Sequence, residues 1–194
     1  MNYEEIARDH TRDDAVDAAA FVEAVVAGWV REYLRATLGH REIVEVEMAN
    51  GFTYLYDSTH HPPLDEADNR VLGAWGRSKP PAKPRDASRM RGYPSPQQDS
   101  LAPVDRGHLI AHTIGGEYDM NLIPQDAALN RGIGESNRRW RELERYCAAH
   151  PGTSLLVRAI YMDNTDRPAE LEYCVLGDDG ALRLERFVNA ATAG

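Results

Sequence analysis

A chain of 194 residues with a formal net charge of −9 is long enough for one ordinary domain with its own core. The acid excess argues against a protein that coats nucleic acid over its whole surface, but a local basic patch would still serve an enzyme making a few phosphate contacts. The 2 cysteines, Cys147 and Cys174, read as buried thiols and give no cluster for a zinc site.

Taken in chain order, Met1 to Asp14 is polar and acid-rich. Ala18 to Val30 is apolar but interrupted by Glu23, so it lacks the basic leader and unbroken core of a secretory signal and is too short to span a bilayer. The expectation is a cytoplasmic protein, or one exported without a cleavable leader. Ala15, Ala19, Val22, Val25, Val26, Trp29, Tyr33 and Leu34 recur at helical spacing, which predicts a packing helix over 13–38 that stops at Gly39. Alternation around Asn50-Gly51 predicts a two-residue β-hairpin over 42–57. Residues 58–100 carry Pro62-Pro63, Pro80-Pro81, Pro84, Pro94 and Pro96, a density that excludes a central strand and leaves at most a short helix over 69–75. His60-His61 in this stretch reads as a surface loop. A helix is expected over 137–150, capped by Ser136 or Asn137, with Trp140, Leu143 and Cys147 on its apolar face and Glu144 just outside it. Leu155 to Tyr161 predicts a strand, and Leu171–Leu176 with Leu182–Phe187 a hairpin across Asp178-Asp179-Gly180. The tail from Asn189 onward reads as frayed. The fold class expected is α+β, an antiparallel sheet flanked by helices.

The densest chemistry lies at Asp105-Arg106-Gly107-His108, followed by Asn121-Leu122-Ile123-Pro124-Gln125 and Leu129-Asn130-Arg131-Gly132. His108 has the near-neutral pKa of a group that takes a proton from water. Gly107 admits a backbone conformation or an approach that a side chain would block. Asp105 is placed to orient the local loop or accept a hydrogen bond. Asn121 and Asn130 offer neutral oxygens for a hard cation or for phosphate. On residue type alone this is a histidine-bearing turn with amides, and a lone histidine is more often structural than catalytic. Basic residues cluster at Lys83, Arg85, Arg89 and Arg91, and again at Arg131, Arg138, Arg139, Arg141 and Arg145. Salt bridges with Glu135, Glu142 and Glu144 account for the second cluster as well as phosphate positioning does. His112 reads as a packing histidine beside the base.

The whole string resembles the DNA/RNA non-specific endonuclease family, over residues 105–144, about a fifth of the chain. Asp105-Arg106-Gly107-His108 matches the family's tetrad, and Trp140-Arg141-Glu142-Leu143-Glu144 its tryptophan-to-glutamate ending. The resemblance implies a ββα-metal (His-Me finger) core around 101–150 within a single nuclease domain, 1–194. It implies His108 as general base, Asn130 as the direct protein ligand of Mg²⁺ or Mn²⁺, and Glu144 as the acid that holds a metal-bound water. Asn121, Arg106 and Arg138 would orient substrate. An arginine upstream of the tetrad, Arg85 or Arg89 ahead of Arg77 or Arg91, would hold the scissile phosphate. The activity implied is sequence-non-specific hydrolysis of DNA or RNA to 5′-phosphate ends, in an effector or toxin that an inhibitor or immunity protein would restrain. Two other readings stand beside it: the same finger acting on a small phosphorylated or other non-nucleic substrate, and a catalytically silent interaction module.

One departure bears on the geometry. Asn130 and Glu144 are farther apart in sequence than in the simplest members of the family. A continuous helix with a rise of 1.5 Å per residue would separate them by roughly 20 Å, too far for one hydrated ion. The helix must therefore break, and Gly132 and Gly134 supply the place; Glu135 and Glu142 are the rival carboxylates.

Overall fold

The computed structural model describes residues 1–13, 15–61, 66–67, 70–84, 103–117 and 119–189. Its frame is a six-stranded sheet in the order β12-β11-β10-β7-β4-β3, in which every neighbouring pair is antiparallel. The strands are β3 (Ile43–Glu47), β4 (Thr53–Asp57), β7 (Arg70–Arg77), β10 (Ser154–Ile160), β11 (Glu170–Leu176) and β12 (Leu182–Val188). The α+β architecture expected from the sequence is present.

The N-terminal region differs from expectation. A first helix, α1 (Tyr3–Asp9), is followed by a small ribbon of β1 (Thr11–Arg12) and β2 (Ala15–Val16). The long helix α2 runs Ala18–Ala36, because the Asp17 carboxylate caps it by accepting from the Ala20 amide at 3.1 Å. Ala15 falls on the helical spacing but belongs to β2, so the helix begins later than the expected 13–38. Phe21, Val25, Val26, Trp29 and Tyr33 are buried along one side of α2.

β7 is the largest correction. It lies in the middle of the sheet, where a short helix was expected. The prolines flank it rather than enter it, and Val71-Leu72-Gly73-Ala74 is buried. Gly73 is there for closeness: a Cβ would sit 2.5 Å from the Trp29 ring. His60–His61 and Glu66–Ala67 form a second small ribbon, β5 and β6, rather than a plain loop. The hairpin of β3 and β4 turns through Ala49-Asn50-Gly51, not two residues. The Met48 amide reaches the Phe52 carbonyl, and Gly51 takes a φ of 75°.

Register divides the sheet into two faces. Gly73, Trp75, Leu156 and Cys174 share the face that α2 covers, and Trp29 meets Trp75 edge-on at 6.4 Å. Ala74, Val157 and Tyr173 share the other, where α4 (Glu135–Ala149) packs through Trp140 against Tyr173 and Phe187. Cys147 on α4 and Cys174 are consequently buried on opposite faces as free thiols.

Candidate active site

The tetrad forms a second, two-stranded sheet. β8 (Val104–His108) pairs antiparallel with β9 (Leu122–Asp126), from Val104 opposite Asp126 to His108 opposite Leu122. A short helix, α3 (Ala127–Arg131), leaves β9 directly and is capped by the Asp126 carboxylate, which accepts from the Leu129 amide at 2.9 Å. Two strands and a helix in this order form the ββα element expected around the tetrad.

Gly107 is required by contact. A Cβ on it would lie 2.0 Å from Oε1 of Gln125, the fully buried residue that closes over this strand. Among the described residues neither atom of the Gln125 amide has a hydrogen-bond partner. Residue type and spacing alone assign Gln125 no role. Its diagonal place across the ribbon from Gly107 was the available signal.

His108 is half-buried at the end of β8, where the chain turns into a loop. Asn121 builds that loop. Its Oδ1 accepts from the Ile110 amide at 2.8 Å, and its Nδ2 donates to the carbonyls of Ile110 at 2.7 Å and Glu117 at 2.6 Å. The Leu109 amide adds a bond to the Asn121 carbonyl. Asn121 is fully buried and its amide bonds backbone at both ends, so it shapes the segment after His108. His112 opens a 3₁₀ turn, with ring Nδ1 3.3 Å from the Gly116 carbonyl.

Asn130 lies on α3, half-buried and turned to the ribbon rather than into the core. Its Nδ2 donates to Asp105 Oδ2 at 2.9 Å. A carboxylate only accepts, so the amide orientation is fixed and Oδ1 faces away from Asp105. Arg131 grips the same carboxylate at both oxygens, at 2.9 and 2.7 Å. Burial alone would raise the Asp105 carboxyl; the bonds from Arg131 and Asn130, with the guanidinium charge, outweigh it and hold the pKa below the ordinary value.

The expected break between Asn130 and Glu144 is present. Gly132 (φ 66°) closes α3, Gly134 (φ 93°) precedes α4, and α4 begins at Glu135, so neither Ser136 nor Asn137 caps it. Glu144 departs from expectation in being buried, 7% exposed, instead of standing outside the apolar stripe. It accepts from Trp140 Nε1 at 3.0 Å and from Arg141 at 2.8 Å. Burial raises its pKa, and the bonds from Arg141 and Trp140 only partly offset this. Of the rivals, Glu142 is exposed and paired with Arg139, and Glu135 is exposed in the first turn of α4. The basic cluster is therefore largely committed: Arg131 to Asp105, Arg139 to Glu142 and Glu185, Arg141 to Glu144. Arg138 is exposed with no ion pair among the described residues, and Arg106 is half-buried on β8. Arg77 is exposed and donates to the Gly152 carbonyl at 3.0 Å. Arg85, Arg89 and Arg91 lie outside the described residues.

Solved structures similar to this chain include the Sda1 nuclease with bound zinc ion, at 15% identity and a TM-score of 0.46, covering 82% of this chain and 88% of that one. An extracellular endonuclease (17% identity, TM-score 0.42, 81% and 93% covered) and an extracellular nuclease (18%, 0.41, 79% and 86%) are also similar. No curated protein matches. A family model described as DNA/RNA non-specific endonuclease matches residues 52–176, which take in β4 through β11 and the whole ββα element. With its tetrad on that element, the chain belongs to the DNA/RNA non-specific endonuclease family and is a hydrolytic endonuclease.

Proposed function

We propose that all 194 residues act as one metal-dependent nuclease domain that cuts DNA, RNA or both with little sequence preference and leaves 5′-phosphate ends. The observation that carries the reading is the Asn130 amide. Asp105 holds its nitrogen, so the carbonyl oxygen is presented as a fixed, neutral, hard ligand. Among the described residues no group of three or more His, Cys, Asp and Glu could hold a metal. One amide oxygen nevertheless suits Mg²⁺, which keeps most of its water and takes few protein ligands. Asp105 and Arg131 are the outer partners that orient such a ligand.

The ion would supply charge stabilisation at the phosphate and the departing oxygen. His108 takes a proton from the attacking water as its oxygen bonds to phosphorus. The bond from phosphorus to the 3′ oxygen breaks, and that oxygen takes a proton from solvent water, giving a 3′-hydroxyl and a 5′-phosphate. Asn121 fixes the loop behind His108 and so aims the base. Glu144 has accepted two bonds and, as a carboxylate, can accept about four; it can hold a water in the ion's shell. Arg106 and Arg138 contribute phosphate contacts without reading sequence, joined by Arg85 or Arg89.

No helix among the described residues is long and apolar enough to cross a membrane. Family likeness extends the proposal to an effector or toxin with a protein inhibitor. The test is digestion of plasmid and RNA with Mg²⁺, with EDTA, and with His108→Ala. Cleavage should fall about 10²–10⁴-fold in the variant and vanish with EDTA. Undiminished cleavage by folded His108→Ala would overturn the assignment of the base.

A further inference from the structure

We propose that Asn189, which lies beyond the family-matched segment 52–176, is a positioning residue for Asn130. This rests on Asn130 being the metal ligand. Asn189 follows β12 and is fully buried. Its side chain serves β9 as a peptide of a neighbouring strand would. Oδ1 accepts from the Asp126 amide at 2.8 Å, and Nδ2 donates to the Pro124 carbonyl at 3.0 Å and the Pro168 carbonyl at 2.7 Å. Both acceptors of Nδ2 are carbonyls and the donor to Oδ1 is an amide, so the orientation is unambiguous.

The mount is itself fixed. The Asn189 amide donates to the Ala169 carbonyl at 2.8 Å, and Arg167 Nε donates to the Asn189 carbonyl at 3.1 Å. These bonds tie Asn189 to the β10–β11 loop of the large sheet. The load passes the other way into the site. Asp126, held through its amide, is the residue whose carboxylate caps α3 at Leu129, and Asn130 follows Leu129. α3 has 5 residues, of which Ala127 and Leu129 are buried, and a helix this short has little cooperativity of its own to hold its first turn. The opposite end of the element is pinned separately, by Asn50 donating to the Gly115 carbonyl and the Lys79 amide to the Ile114 carbonyl. Together with the Ala127 amide, which bonds the Pro103 carbonyl, Asn189 therefore helps set where α3 begins, and with it where the Asn130 oxygen stands.

The test is Mn²⁺ binding to the full chain by titration calorimetry, well below the unfolding temperature, with hydrogen exchange at the Asp126 amide. Wild type should bind, Asn130→Ala should not, and Asn189→Ala should bind about 10-fold more weakly, the lower end of what removing an outer partner of a metal site costs. Exchange at Asp126 should quicken. Val25→Ala in the α2 core loses stability remote from the site and should bind as wild type does. If Asn189→Ala does not fold, Asn189→Thr, of similar size and with a single donor, takes its place. Wild-type affinity in a folded Asn189 variant would overturn the proposal, as would an equal loss in Val25→Ala. Wild-type affinity in Asn130→Ala would instead overturn the metal-ligand reading, and the proposal with it.

Discussion

The large sheet and the ββα element share one apolar core, through Leu109, Ile110, Ile114, Ile123 and Leu129 on the side of the element, but they differ in how many directional side-chain bonds they add to it. In the sheet, Leu155, Leu156, Val157, Leu171, Tyr173 and Val175 are fully buried, and non-directional burial of apolar area supplies the cohesion. The ββα element has a two-stranded ribbon and a short helix, too little to be stable alone. It is seated by its buried apolar residues and, in addition, by side-chain amides, Asn50, Asn121 and Asn189, each bonded to backbone. Burial gives a rigid platform, and directional bonds place chemistry on it. Stability and activity should therefore separate according to which region is altered.

Trp29→Ala removes the ring that covers Gly73 and should cost about 3–5 kcal/mol. Melting temperature should fall sharply while cleavage per folded molecule, read at low temperature, stays near wild type. A parallel loss of cleavage would erase the distinction. Asn121→Ala works the other way. It leaves the buried Ile110 amide without its acceptor, costing about 1–3 kcal/mol, and turnover should drop by more than that stability loss explains, with the far-UV spectrum unchanged. Gly107→Ala drives a methyl group into Gln125, whose Cβ would lie 2.4 Å away, and should cost about 1–3 kcal/mol by overpacking; removing that side chain altogether in Gly107→Ala/Gln125→Gly should recover part of it, measured by urea unfolding. The smallest effect belongs to a surface turn of the sheet. A hydrogen bond from Arg183, foremost, holds the Asp179 carboxyl down to about 2, below its ordinary 3.8. A depressed pKa adds stability above the unfolded value, and that is lost as pH falls through about 2. Asp179→Asn should slightly flatten the acid limb of a melting-temperature profile and leave cleavage unaltered.

The sequence made the tetrad, both β-hairpins, and the break at Gly132 and Gly134 legible, since each rests on local pattern or on one distance argument. β7 was not legible, because its glycines answer to Trp29 and Phe52, residues far away in sequence, and because prolines on either side mask a strand they never enter. The burial of Glu144 was missed for a related reason. Helical spacing places it beside the apolar stripe, but Trp140 Nε1 needs an acceptor once its ring is buried, and Glu144 is one turn away. Asn189 read as part of a frayed tail; the residues after it lie outside the described ones. Its partners, Pro124, Asp126 and Pro168, leave no mark near it in the sequence.

The grip of Arg131 on Asp105 has an ionic consequence. Arg131 is 59% exposed, and an exposed pair weakens as electrolyte shortens the Debye length to about 8 Å at 0.15 M. Since Asp105 steadies the proposed ligand amide, electrolyte would loosen the cation's seat as well as the polyanion's hold on the surface. Salt inhibition would then have two components, and raising the divalent concentration would relieve only the first.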